Sequence, residues 1–171
     1  MAASVGIAHL SARVQTERKD LAVWEVLVTK QKISELMAEN PVSVGPDMDV
    51  YAASQQILNN QVSGATVVDE DGKLIGMLSE LDCLQAIVTS VYNGSDPGGA
   101  LVGEIMTSEV VVNDPDEEIL AVATSMLDQM HRRRPVVKDG EVQGQLTCRQ
   151  ILRAVTDANI SKEDQPEDSE S

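Results

Sequence analysis

Gly76-Met77-Leu78-Ser79-Glu80-Leu81-Asp82 is the stretch on which the reading of this chain turns. A small turn residue meets two apolar residues, then a hydroxyl, then a carboxylate three positions on. An apolar run with a turn before it leads in, and a helical pattern follows. Ser79 caps that helix, so the N–H groups of its first turn point outward. Such a corner holds a phosphate, and Asp82 lies one turn along, where it accepts hydrogen bonds from a sugar diol. Taken alone, the stretch reads first as a capped helix with a solvated carboxylate. Its recurrence near residue 144 raises the functional reading.

Working outward, residues 32–91 and 101–157 are two copies of one unit. At an offset of 69, Ile33 meets Val102, Glu35 meets Glu104, Met37 meets Met106, Pro46-Asp47 meets Pro115-Asp116, and Val67-Val68 meets Val136-Val137. One residue drops out in the next turn. Asp71-Gly72 then meets Asp139-Gly140, Gly76 meets Gly144 and Leu84 meets Leu152 at an offset of 68. A repeat of this length outranks any local assignment.

Each copy opens with a short apolar strand, Val42-Ser43-Val44 or Val110-Val111-Val112, and a Pro-Asp turn. Apolar positions Val50, Ala53, Ser54, Ile57 and Leu58, matched by Ile119, Val122, Ala123, Met126 and Leu127, form the stripe of an amphipathic helix. A β-branched run, a Gly-containing turn and a second run make a hairpin. A last helix starts at Ser79 or Thr147. The expected fold is α/β of the α+β kind, β-α-β-β-α twice. Residues 1–31 form an N-terminal extension, 32–92 the first repeat, 93–100 a linker, 101–158 the second repeat and 159–171 a disordered acidic tail. Within the extension, Leu21 to Val28 reads as a strand or a short helix, and Trp24 packs on the neighbouring domain or docks a partner.

Composition narrows the function. The net charge is −15 over 171 residues, which disfavours nucleic acid and anionic membranes. Phe is absent, so the core is Val, Ile, Leu, Met and Ala, and stacking platforms for single strands are lacking. Cys83 and Cys148 have no metal or disulfide spacing, and Cys83 belongs to an apolar helical stretch. No signal peptide or membrane span is visible, so a reduced, cytoplasmic protein is expected. No nucleophile has a base partner, and His9 and His131 stand in unrelated places, so no enzyme activity is expected.

The two ordered patterns, Leu36-Met37 with Val62 through Asp82 and Ile105-Met106 with Arg133-Arg134-Pro135-Val136-Val137, Gly140 and Gly144, resemble a tandem cystathionine-β-synthase (CBS) domain pair of stand-alone bacterial type. The resemblance implies a pseudo-twofold pair with two clefts that bind AMP, ADP, ATP or S-adenosylmethionine, with no required cofactor and no metal. Carried over, the first site comprises Ser79, Asp82, Ser63, Gly64 and Ala65, with Val110 and Val111 from the other repeat. Thr66, where many members have Pro, is a mild departure. The second site comprises Thr147 and Gln150, with Val42 and Ser43 from the first repeat. Arg132, Arg133 and Arg134 either meet phosphates or cover the surface and pair with acids. Gln150 replaces the carboxylate, so this site is expected to be empty or to bind a different ligand more weakly. The function implied is a regulatory ligand sensor in a homodimer or larger assembly. The alternative is a ligand-independent assembly module that recruits an unidentified protein partner through the N-terminal segment.

Overall fold

A computed structural model describes residues 31–163, with side chains as far as Asp157. The expectations for Trp24, the Leu21–Val28 run and the end of the acidic tail lie outside the described residues. In chain order the elements are a 3₁₀ turn (Ile33–Glu35), β1 (Ala38–Glu39), β2 (Ser43–Val44), α1 (Val50–Asn59), β3 (Gly64–Val68), β4 (Leu74–Ser79), α2 (Glu80–Tyr92), α3 (Val102–Ile105), α4 (Ile119–Asp128), β5 (Arg133–Lys138), β6 (Glu141–Thr147) and α5 (Cys148–Glu163). The last helix thus continues to Glu163, into the stretch from 159 onward expected to be a disordered tail.

The hairpins form as the turn chemistry predicts. β3 pairs antiparallel with β4, and β5 with β6. Their turns contain Gly72 at φ 78° and Gly140 at φ 87°, a region that residues with a Cβ enter at a cost. Of the helical stripes, Val50, Ala53 and Ile57 are buried on α1, and Ile119, Val122 and Met126 on α4. Leu58 and Leu127 depart from the expectation, at 64% and 68% exposed.

The two sequence repeats are not the two packing units. β1, from the first repeat, pairs with β6 of the second, giving sheets ordered β2-β3-β4 and β1-β6-β5. Ile33 belongs to the core of Ile119, Val122, Met126, Val136 and Leu146. Val102 belongs to the core built on Val50, Ile57, Val67 and Leu78. The backbone repeats this exchange. Ile33 and Ser34 donate to the carbonyls of Glu117 and Pro115, both at 3.1 Å, while Val102 and Gly103 donate to Met48 and Pro46 at 2.9 and 2.8 Å. Each opening segment therefore closes the opposite half.

This exchange corrects the reading of Gly76 and Gly144. They are strand residues within β4 and β6, not turn residues. A Cβ on Gly76 overlaps Met106, and one on Gly144 comes within 2.7 Å of the Ala38 carbonyl. Both positions stay small because the opening segment of the other repeat passes directly over them.

The expected strand at Val110–Val112 is also corrected, and one residue explains it. In the first repeat Thr66 donates its N–H to the Val42 carbonyl at 2.9 Å, and β2 pairs parallel with β3. Its counterpart is Pro135, which has no N–H. Only the next rung survives, an isolated parallel bridge between Asn113 and Val136. Asn113 donates to the Pro135 carbonyl at 3.0 Å, and Val137 donates to Asn113 at 2.9 Å.

A surface cluster pins the exchanged segment. Asp116 takes Lys32 at 3.0 Å and Lys138 at 2.9 Å. Hydrogen bonds from Lys138 and then Lys32 draw the Asp116 carboxyl down from 3.8 to about 2. Its folded value lies below its unfolded one, so its contribution is present above the unfolded value and lost as pH falls through the folded one. Urea midpoints of the native chain and Asp116→Asn should differ at pH 6 and converge between pH 3.8 and about 2. A difference that persists at pH 2 would contradict this account.

Candidate ligand-binding clefts

Ser79 is the N-cap of α2, with φ −107° and ψ 162°, and Asp82 completes a capping box. Asp82 Oδ2 accepts from Ser79 N at 2.8 Å and from Ser79 Oγ at 2.6 Å, and Asp82 N donates to Ser79 Oγ at 3.2 Å. One carboxylate oxygen is thereby committed to the helix start. Oδ1 takes no protein hydrogen bond among the described residues. The carboxylate is half-buried, so this oxygen is an acceptor on offer, held in place by the cap.

Both residues line a cleft of about 340 Å³. Its opposite wall comes from the second repeat: Val110, Val111, the segment from Met130 to Arg133, and Pro135. The missing N–H of Pro135 matters here, because it leaves the Val111 carbonyl without the strand partner that Val42 has in Thr66. The cleft therefore combines an anchored carboxylate, apolar side chains and an open stretch of backbone. These are the parts a site needs to hold a sugar diol and a flat heterocycle. Glu109 and His131 also face it.

Ser63, Gly64 and Ala65 do not line this cleft. Gly64 and Ala65 are buried in β3. A Cβ on Gly64 overlaps both the Leu78 carbonyl and Arg133 Nη1. Ser63 faces a second cleft and accepts a hydrogen bond from Arg133 Nη2. The wall that the sequence reading drew from these residues is supplied instead by Arg132 and Arg133, at the corresponding positions of the other repeat. The signal for this was the offset of the repeat itself, since a pseudo-twofold axis places equivalent loops in each other's clefts.

The second motif is capped in the same way with a different group. Gln150 Oε1 accepts from Thr147 N and Oγ1, both at 2.7 Å, and Gln150 Nε2 donates to the Leu36 carbonyl at 2.9 Å. A carboxylate cannot make that last bond. The amide is spent on the cap and on tying down the exchanged opening segment, a role that no local pattern of residues reveals. Val42 and Ser43 do not meet Thr147 across an open cleft. Ser43 Oγ lies 2.7 Å from Thr66 Oγ1 and donates to the Pro41 carbonyl at 3.2 Å. A cleft of about 500 Å³ does lie at the start of α5, lined by Ser63, Glu80, Arg132, Arg133, Thr147 and Arg149 among others, but not by Val42, Ser43 or Gln150.

The three arginines have separate fates. Arg134 is 2% exposed and fully committed. Its Nε donates to His131 Nδ1 at 3.1 Å, Nη1 to Ser125 Oγ at 3.1 Å, and Nη2 to the Ser125 carbonyl at 2.9 Å and Gln129 Oε1 at 3.2 Å. It closes the end of α4 and neither covers the surface nor reaches a cleft. Arg132 is exposed, and Arg133 is half-buried beside both clefts.

Cys83 is core, at 4% exposed, and burial pushes its thiol pKa up, away from reactivity. Among the described residues no cluster of three or more His, Cys, Asp or Glu side chains is placed to hold a metal ion. Among the same residues no helix is long and apolar enough to cross a membrane.

Comparison with known proteins agrees with this architecture. A family model of the CBS domain matches the chain twice, over residues 33–89 and 102–157. Among curated relatives, the uncharacterized protein MJ1225 of Methanocaldococcus jannaschii is 26% identical over 123 residues, which are 72% of this chain and 42% of that protein. Inosine-5'-monophosphate dehydrogenase of Nitrosopumilus maritimus is 30% identical over 167 residues, 95% of this chain and 31% of the enzyme. The chain thus spans less than half the length of either relative. Among solved structures, CBSX2 in complex with AMP superposes with a TM-score of 0.66 at 27% identity, covering 75% of this chain and 98% of that one. The CBS domain pair of MJ0100 in complex with 5'-methylthioadenosine and S-adenosyl-L-methionine gives a TM-score of 0.64 at 23% identity, covering 74% of this chain and 97% of that one, a likeness of fold. Two matched copies, together spanning more than half of the chain and folded as a pair, make this protein a member of the CBS domain family.

Proposed function

We propose that this chain is a regulatory module that binds an adenine nucleotide or another adenosine derivative in the Ser79–Asp82 cleft. The observation that carries the reading is Asp82, which lines the cleft, is fixed by its cap through one oxygen and has its other oxygen free of protein hydrogen bonds among the described residues. Vicinal ribose hydroxyls donate to that oxygen in charge-assisted hydrogen bonds. The base lies against Val110 and Val111, where the Val111 carbonyl, unpaired among the described residues, accepts from an exocyclic amine. The complex of CBSX2 with AMP supports the ligand class. Binding alters a partner only through a difference in affinity between two states, so the signal is a change in how the pair packs.

Titration calorimetry of the full chain against AMP, ADP, ATP and S-adenosylmethionine tests this. Saturable binding of at least one is expected, and silence for all four would sink the reading. Pro135→Ala is a sharper probe. It restores an N–H, allows the Val111 carbonyl to pair, and should weaken binding roughly three- to tenfold, the worth of one hydrogen bond.

Homodimerisation is proposed on a separate observation. Leu81, Leu84 and Val91 lie on α2 with 65%, 57% and 60% exposure, an apolar helix surface left uncovered by the described residues. Light scattering should give twice the chain mass for the native protein and the single mass for Leu84→Glu. A monomeric native protein would exclude the dimer.

A further inference from the structure

We infer that the two clefts share one anion-binding group, Arg133, and that the second cleft takes an inorganic phosphate-type anion in competition with the first cleft's phosphates. The inference rests on the adenosine reading for the first cleft only.

Arg133 lines both clefts. It is half-buried, yet it forms no ion pair among the described residues. Nη2 donates to Ser63 Oγ, on the side of the second cleft, while Nη1 is buried with no partner among the described residues. A buried cationic N–H left unpaired is costly, and a guanidinium that turns toward an anion in either cleft removes that cost. Burial, and then the neighbouring Arg132, also depress the Arg133 pKa, and the opposing pull of Glu80 and Asp82 does not offset them. Gly64 makes the arrangement possible, because any Cβ there would occupy the place of Nη1.

The second cleft has the charge to attract an anion. Arg132, Arg133 and Arg149 face it against one carboxylate, Glu80, in a chain whose net charge is −15. It lacks the parts that hold a nucleoside: Gln150 and Val42 do not reach it. Arg149 lines this cleft and not the first. A nucleotide phosphate in the first cleft draws Arg133 off Ser63, and the second cleft then loses a cation. An anion in the second cleft holds Arg133 on the Ser63 side, and the first cleft loses its phosphate contact. Adenosine, with no phosphate, is indifferent to this exchange.

Calorimetry of the full chain with inorganic triphosphate, AMP and adenosine tests the coupling. Triphosphate should bind the native chain and bind at least about tenfold more weakly to Arg133→Gln and to Arg149→Ala, the scale of one lost charged contact. Saturating triphosphate should weaken AMP severalfold and leave adenosine unchanged, and Arg149→Ala should abolish that effect. Ser63→Ala, which frees Arg133, should tighten AMP roughly threefold or more. The coupling is overturned if triphosphate weakens AMP equally in Arg149→Ala, which would place both anions in the first cleft. Unchanged AMP affinity in Ser63→Ala would also overturn it. If neither AMP nor adenosine binds, the adenosine reading and the coupling fall together. The triphosphate titrations of Arg133→Gln and Arg149→Ala then decide the second cleft by themselves.

Discussion

Asp82→Asn should lower affinity for AMP about a hundredfold while the protein melts within a few degrees of the native chain. The capping box is the reason these effects separate. An asparagine carbonyl takes over the bonds from Ser79 N and Ser79 Oγ, as Gln150 Oε1 does for Thr147 in the second repeat. The group left facing the cleft is then an amide NH₂. It cannot accept from the ribose hydroxyls, and the charge is gone. Hydrogen bonds to a charged group contribute about 1.5–3 kcal/mol each, so two of them weakened or lost bring about two powers of ten. Asp82→Ala loses the same contacts and the reciprocal cap as well, at roughly 1 kcal/mol of stability. Calorimetry with AMP and a thermal melt on both variants check this. If Asp82→Asn binds AMP as the native chain does, the diol is not at Asp82.

Ile33→Ala removes about 3 kcal/mol of stability, within the range for a buried isoleucine truncated to alanine. For a chain of this size that is a fall of roughly 6–12 °C in melting temperature. Ile33 is 0% exposed and packs with Ile119, Val122, Met126, Val136 and Leu146, all of the second repeat. The loss should therefore appear where the sequence does not suggest it. Hydrogen exchange should accelerate across α4, β5 and β6 and change little in α1, β3 and β4. Faster exchange confined to the first-repeat elements would refute the exchanged packing. Val102→Ala is the mirror experiment, because its neighbours are Val50, Ile57, Val67 and Leu78. It should loosen the first-repeat elements instead.

Both predictions depend on how far the residues could be read before folding. The repeat, the amphipathic spacing of Val50, Ala53 and Ile57, and the Gly-containing hairpin turns are local signals. Backbone preference and solvent exclusion act over neighbouring residues, so they could be read one segment at a time. Ser79 and Asp82 were legible for the same reason, since a capping box is written within four positions. The clefts were legible only in part. Val110 and Val111 line one cleft with Asp82, whereas Ser63, Gly64 and Ala65 do not, and Arg134 is sealed inside by Ser125, Gln129 and His131.

By itself, then, the order of residues determined two copies of a helix–hairpin–helix unit, their caps and turns, and a carboxylate present in one copy and replaced by an amide in the other. Tertiary structure alone decided which half each opening segment closes, and why Gly76 and Gly144 must lack a side chain. It also decided that Thr66 seals one strand while Pro135 leaves its counterpart open, and that Arg133 stands between two clefts. The physical reason is distance along the chain. Each of these features is a contact between groups many residues apart, and its energy depends on a partner that no local pattern names.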